Sequence, residues 1–223
     1  SIINNILFIH IYIYIYIYIY IWIYTMNELK LTCVSGYWKI KNKHNNKFNN
    51  WFENSLQINC PYIFFGDKKS IELVKNYRGE LPTYYIELTI EEFTTYKYKD
   101  KIITDSIHCP SKELNLIWNE KIFMLQRALQ INPFSSDFFC WIDAGICIYR
   151  NKKPPKLKFP NINKLNDLPK NKLIYSSSSP KFDNKNFKTG HFHLHHHISG
   201  TSYILHKNII DNFTNLYRDY LDK

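Results

Sequence analysis

The stretch F-F-C-W-I-D-A-G-I-C-I-Y-R, residues 138–150, decides how this chain is read. An unbroken apolar run leads into one carboxylate, Asp143, and a glycine, Gly145, stands two places further on. A strand buried on both faces reads as a continuous apolar run, and in open α/β sheets ligands sit beyond the carboxyl ends of the strands. Asp143 is therefore expected at the mouth of a central strand, where chemistry is usually done. D-A-G is also good turn chemistry, so a turn-forming aspartate is the alternative reading.

The segments before this strand alternate. Strands are expected over residues 29–35, 62–65 and 83–88, and helices over 47–57 and 70–77. Thr89 opens T-I-E-E, a capping box in which Thr89 and Glu92 satisfy each other's amides. The clearest helix covers residues 111–130, entered through Pro110-Ser111 with Glu113 in its first turn, where the helix dipole favours a negative charge. Leu114, Ile117, Trp118, Ile122, Leu125 and Leu129 recur at helical spacing as its apolar stripe. Lys121 falls on that stripe, either snorkelling its ammonium out of an apolar face or standing at the edge of a site as a cation for a phosphate. Asn132-Pro133 ends the helix, because the residue before proline is pushed out of the helical region.

Beyond Arg150, residues 151–172 are rich in lysine and proline and read as an exposed loop. A strand is expected over 173–176, and an amphipathic helix over 208–221 through Ile209, Ile210, Phe213, Leu216 and Tyr217. This rhythm argues for a single α/β domain with a mostly parallel central sheet flanked by helices.

Composition sets the outer bounds. The chain has 223 residues, enough for one sizeable core, and 45% hydrophobic residues, too many for disorder. The net charge of +10 is nearly all lysine, scattered along the chain, with arginine at Arg78, Arg127, Arg150 and Arg218 alone. An AT-rich coding sequence accounts for that excess better than a nucleic-acid footprint, and no nucleic-acid partner is expected. The five cysteines, Cys33, Cys60, Cys109, Cys140 and Cys147, have no C-x-x-C spacing and read as reduced, mostly buried thiols of a cytoplasmic protein.

Residues 1–25 stand apart. Their alternating Ile-Tyr tract is what a translated dinucleotide repeat encodes, and Met26 follows at once, so this low-complexity tract is set outside a fold expected over 26–223. The competing reading makes residues 6–24 a membrane anchor, since the uncharged run is about long enough to span a bilayer. Lysines follow the run and none precedes it, which would leave the folded part on the cytosolic side.

The run G-H-F-H-L-H-H-H-I-S-G, residues 190–200, puts His191, His193, His195 and His197 on one side if it is a strand. Strand histidines seldom converge on a zinc ion unaided, so a dedicated zinc site is not the expectation.

Residues 118–146, W-N-E-K-I-F-M-L-Q-R-A-L-Q-I-N-P-F-S-S-D-F-F-C-W-I-D-A-G-I, together with I-S-G-T-S-Y-I-L-H-K at 198–207, resemble the HtrL/YibB-like (WlaTC/HtrL) glycosyltransferase family. The resemblance implies a GT-A-like, Rossmann-like fold. It also implies transfer of a sugar from a nucleotide-diphospho-sugar to a carbohydrate or glycoconjugate hydroxyl. Asp143 is then the catalytic candidate, and Lys121, Asp143, Gly145, Ser199 and Gly200 are the donor-binding candidates. A divalent metal, Mn or Mg, would bridge the donor diphosphate, with Asp143 and His197 as ligands. Gly145 stands where the fold's usual D-x-D has its second aspartate. Asp137 cannot replace it, because the six residues separating it from Asp143 span about 20 Å in a strand. Family members generally extend further, so the C-terminus reads as short. Two other readings stay open: an inactive GT-A-like binding protein, and a basic nucleic-acid binder.

Overall fold

A computed structural model describes residues 29–40, 47–106, 109–176 and 199–223, and the Ile-Tyr tract of residues 1–25 lies outside them. Among the described residues six strands form one sheet: β1 (Leu31–Tyr37), β2 (Tyr62–Gly66), β3 (Thr83–Glu87), β4 (Phe138–Ile142), β5 (Ile174–Ser176) and β6 (Ser199–His206). Their spatial order is β3-β2-β1-β4-β6-β5. The pairs β1/β2, β2/β3 and β1/β4 are parallel, whereas β6 runs antiparallel to both β4 and β5. The strand order reverses between β1 and β4, and such switch points are where open α/β sheets bind ligands.

Among the described residues the α-helices are α1 (Lys47–Leu56), α2 (Lys68–Arg78), α3 (Lys112–Ile131), α4 (Ile162–Asn166) and α5 (Lys207–Leu221). Strand alternation distributes the apolar side chains between two cores. Val34, Ile63, Phe65, Phe139 and Trp141 pack with residues of α3 and α5 on one face, and Cys33, Tyr62, Phe64, Phe138 and Cys140 pack with residues of α1 and α2 on the other. All five residues of β4 are buried. That is why the strand is apolar throughout: a residue facing either way meets a core, and each large side chain contributes about 1.5–3 kcal/mol gross. The mixed six-stranded Rossmann-like α/β sheet agrees with the expected fold class.

Four features depart from the expectations. The T-I-E-E turn opens two 3₁₀ stretches, Ile90–Glu92 and Thr94–Lys101, rather than an α-helix. The Thr89 amide still donates to Glu92 Oε2 at 2.7 Å, but the amides of Thr94 and Thr95 are taken by Glu120 of α3, which holds the segment against that helix. The 151–172 loop contains α4, whose first amides donate to Asn161 Oδ1. Strand β6 enters the sheet antiparallel, between β4 and β5. Finally, Trp118 is 40% exposed, while Leu116, Glu120, Phe123 and Met124 of the same helix are buried. α3 is enclosed by the sheet, α5 and the 3₁₀ stretch together, so its buried arc is wider than the predicted stripe and is centred elsewhere.

The thiols of Cys33, Cys60, Cys109 and Cys140 are free and buried, as expected. Burial first, and the neighbouring thiols of Cys140 and Cys60 next, push the Cys33 pKa well up. No helix among the described residues is long and apolar enough to cross a membrane.

Candidate functional site

Three segments converge at the carboxyl end of β4. The Asp143 amide donates to Thr201 O at 2.8 Å, adding one more rung to the β4/β6 pairing just where β4 ends. This fixes Asp143 beside the first residues of β6. Lys121 reaches the same point from α3: its Nζ lies 2.6 Å from Asp143 Oδ1 and donates to Gly200 O at 2.9 Å. The Trp141 indole Nε1–H also donates to Asp143 Oδ1, at 2.6 Å, and the Lys121 ammonium sits 5.6 Å from the Trp141 ring centroid. With side-chain exposures of 11% for Lys121 and 26% for Asp143, the pair is sheltered yet open on one side. The structure places the Lys121 side chain on α3 with its ammonium delivered to the carboxylate at the strand mouth.

That open side faces a cavity of about 720 Å³, within the usual size of small-molecule sites. Its wall is mostly apolar and carries five aromatic side chains, Trp118 from α3, Tyr175 from β5, Tyr203 from β6, and Phe213 and Tyr217 from α5. Lys121 and Asp143 are the only charged side chains lining it among the described residues. Cross-strand register explains part of the wall, because Trp141, Tyr203 and Tyr175 pair in a row across β4, β6 and β5 and so share a face. Burial, and then the Asp143 charge, hold the Tyr203 phenol well above its ordinary pKa. Tyr217 Oη donates to Asn119 Oδ1 at 2.5 Å, and the Asn119 amide donates back to Asn115 O at 2.9 Å, which closes the floor between α3 and α5.

The matching family model is described as "Bacterial protein of unknown function (HtrL_YibB)" and spans residues 106–216, from just before α3 into α5. This part of the chain belongs to the HtrL_YibB family. Every residue singled out above as a candidate lies inside the HtrL_YibB region. Comparison with curated proteins gives no match. Among solved structures, 4-diphosphocytidyl-2C-methyl-D-erythritol synthase from Anaerococcus prevotii is similar at 11% identity and a TM-score of 0.43, over 88% of this chain and 78% of that one. The apo form of the glycosyltransferase GlyE of Streptococcus pneumoniae is similar at 10% identity and a TM-score of 0.39, over 86% of this chain and 38% of that one.

Of the donor-binding candidates in the HtrL_YibB region, Lys121, Asp143, Ser199 and Gly200 line the cavity. The hydroxyls of Ser199 and Thr201 are hydrogen-bonded to each other at 2.7 Å. Gly145 is placed differently. The Ile146 amide donates to Asp143 O at 3.1 Å to close a turn, and Gly145 holds φ at 74°, the positive value that glycine adopts without a Cβ penalty. Its own amide donates to Ser55 Oγ at 3.1 Å, toward α1 and away from the cavity. His197 lies outside the described residues. Sequence reasoning missed Tyr175, Tyr203 and Thr201. The period-two S-G-T-S-Y-I-L run was the available signal for a strand, but not for its partners.

The described residues do not fit a divalent cation at this point. One carboxylate is present, and its Oδ1 already receives both an ammonium and an indole N–H. Among the described residues no group of three His, Cys, Asp or Glu side chains is placed to hold a metal. A dication at Asp143 would also stand beside the Lys121 ammonium, which costs free energy in a sheltered site.

Proposed function

We propose that the chain is a transferase that uses a nucleotide-linked sugar and passes the sugar to a carbohydrate hydroxyl. The observation that carries this reading is the Lys121–Asp143 pair, held at the carboxyl end of β4 and opening on a cavity of about 720 Å³. In the reaction the bond from the anomeric carbon to the phosphate oxygen breaks, an acceptor hydroxyl oxygen bonds to that carbon, and the hydroxyl proton is released. Negative charge gathers on the departing nucleoside diphosphate. A preorganised cation in a water-poor site stabilises such charge. An ammonium has three N–H donors. Lys121 directs two of them at Asp143 and Gly200 O, leaving the third for a phosphate oxygen. Asp143 keeps Lys121 in place and offers its second oxygen to a sugar hydroxyl.

The test is titration of UDP- and GDP-sugars, with and without Mn²⁺, against wild type, Asp143→Ala and Lys121→Met. Wild type should bind at least one of them without added metal, and both variants should weaken that binding by roughly tenfold or more, the worth of one charge-assisted contact. Absence of binding to every nucleotide-sugar by the wild type sinks the reading.

A further inference from the structure

The aromatic wall of the cavity is not explained by a diphosphate, which needs cations and amides. We infer that this wall is a binding subsite for a neutral pyranose ring, seated between Trp118 and Tyr175 and reaching toward Asp143. The inference rests on the transfer reaction proposed above for its purpose, and it names the substrate class on the aromatic side of the same site.

Three observations carry it. First, Trp118 and Tyr175 are 40% and 42% exposed and line the cavity, although most aromatic side chains of the sheet and of α3 are buried. Large aromatic faces left toward a cavity cost hydration free energy that an apolar ligand face recovers. The axial C–H face of a pyranose is such a surface, while its rim carries hydroxyls. Second, polar groups suited to that rim stand around the wall. The Trp118 indole N–H and the Tyr203 hydroxyl have no hydrogen-bond partner among the described residues, and the Asp143 carboxylate and the Ser199–Thr201 hydroxyl pair lie at one end. Third, the site's charges cancel. Lys121 and Asp143 neutralise each other at 2.6 Å and no other charged side chain lines the cavity among the described residues, so an anionic ring would find no spare cation at the aromatic end. Indole and phenol groups with one apolar face and one polar tip suit a ligand that is apolar on its face and polar at its edge.

The ring could belong to the acceptor or to the sugar of the donor, and the experiment separates the two. Saturation-transfer NMR and titration would use methyl glucoside, methyl galactoside and methyl mannoside, then UDP-sugars, then UDP and GDP alone. These would be applied to wild type, Trp118→Ala, Trp118→Phe and, as an off-site control, Tyr84→Ala. Tyr84 is 43% exposed on β3, at the other edge of the sheet, so its loss reports surface effects only. We expect at least one glycoside or UDP-sugar to lose roughly tenfold in affinity in Trp118→Ala, with partial recovery in Trp118→Phe and no change in Tyr84→Ala. UDP and GDP should bind the two Trp118 variants as they bind wild type. A loss confined to glycosides assigns the subsite to the acceptor, and a loss for UDP-sugars with UDP unchanged assigns it to the donor sugar. If Trp118→Ala weakens UDP or GDP as much as the sugars, the wall holds a base and the inference is overturned. It is equally overturned if no sugar responds to Trp118. Glycoside binding without any nucleotide-sugar binding would leave the subsite standing and remove the transfer reaction alone.

Discussion

Replacing Arg78 by methionine should be among the most damaging single changes this fold can suffer. Arg78 lies in the last turn of α2 and is 2% exposed. Its Nη1 donates to Leu56 O at 2.7 Å and Ile58 O at 2.9 Å, and its Nη2 to Cys60 O at 2.8 Å and Pro82 O at 3.1 Å. Nε donates to Thr83 Oγ1 at 2.8 Å, and the guanidinium stacks 4.2 Å from the Tyr62 ring centroid. One side chain thus ties the end of α1, the turn leading into β2 and the start of β3. Methionine keeps much of the stem's packing but leaves four carbonyls short of a charged donor, each worth about 1.5–3 kcal/mol. Removing a buried cation returns several kcal/mol of desolvation. The balance is a loss of about 4 kcal/mol, and at about 2–4 °C per kcal/mol for a chain of this size the Tm should fall by about 8–16 °C. Arg78→Lys should recover little of it, since three donors on one nitrogen cannot span carbonyls arranged for a planar fork. Urea unfolding followed by tryptophan fluorescence, together with thermal melts, measures both variants. A loss of about 1 kcal/mol or less in Arg78→Met, with an unchanged m-value, would refute the claim that this network joins the segments.

Two further changes test other buried polar groups. Glu120 is fully buried and accepts the amides of Thr94 and Thr95 and the Thr95 hydroxyl at 2.8–2.9 Å, so Glu120→Gln, which turns an NH₂ toward donors, should cost about 2–3 kcal/mol in chemical denaturation. His206 caps α5 by accepting the Asn208 amide on Nδ1 at 3.2 Å, and burial first, then Lys170, lower its pKa from 6.5. The folded state therefore binds fewer protons than the unfolded one, and stability should be full above about pH 6.5 and fall as pH drops from there through the lowered folded value. Thermal melts between pH 8 and 5 should show that slope flattened in His206→Asn, whose side chain caps a helix whatever the pH.

The central strand was legible because burial on both faces leaves one signature, an unbroken apolar run, and the position of Asp143 at its carboxyl end follows from direction alone. Lys121 was legible as an anomaly, a charge on an apolar stripe. Trp118 and Glu120 were not, and for one reason. Helical periodicity ranks residues by polarity, whereas α3 is enclosed on several sides, so a carboxylate is drawn inward by two free amides while an indole is left facing a cavity between α3, α5 and β6. The antiparallel entry of β6 depends on where the chain returns to the sheet, which local pattern does not encode. The short α4 was hidden by the lysines and prolines around it, although Asn161 was a readable cap.

The turn after β4 bears on more than local geometry. A second carboxylate at position 145 would complete a D-x-D, yet the backbone there holds φ at 74°, where a side chain other than glycine is strained. The amide of Gly145 is committed to Ser55, on the α1 side of the sheet, while Asp143 faces the cavity on the α3 and α5 side. The Gly145 amide and the Asp143 side chain thus serve opposite faces, and a carboxylate-bearing residue at 145 would strain the turn. What stands beside Asp143 instead is Lys121, brought by α3 to 2.6 Å from Oδ1 and held there by Gly200 O at 2.9 Å. In the proposed transfer, the positive charge that a bridging cation would bring to a diphosphate would come from Lys121, which is covalently part of the chain. It is anchored by a helix on one side and by the first residues of β6 on the other, so in that reading its orientation is set before negative charge develops.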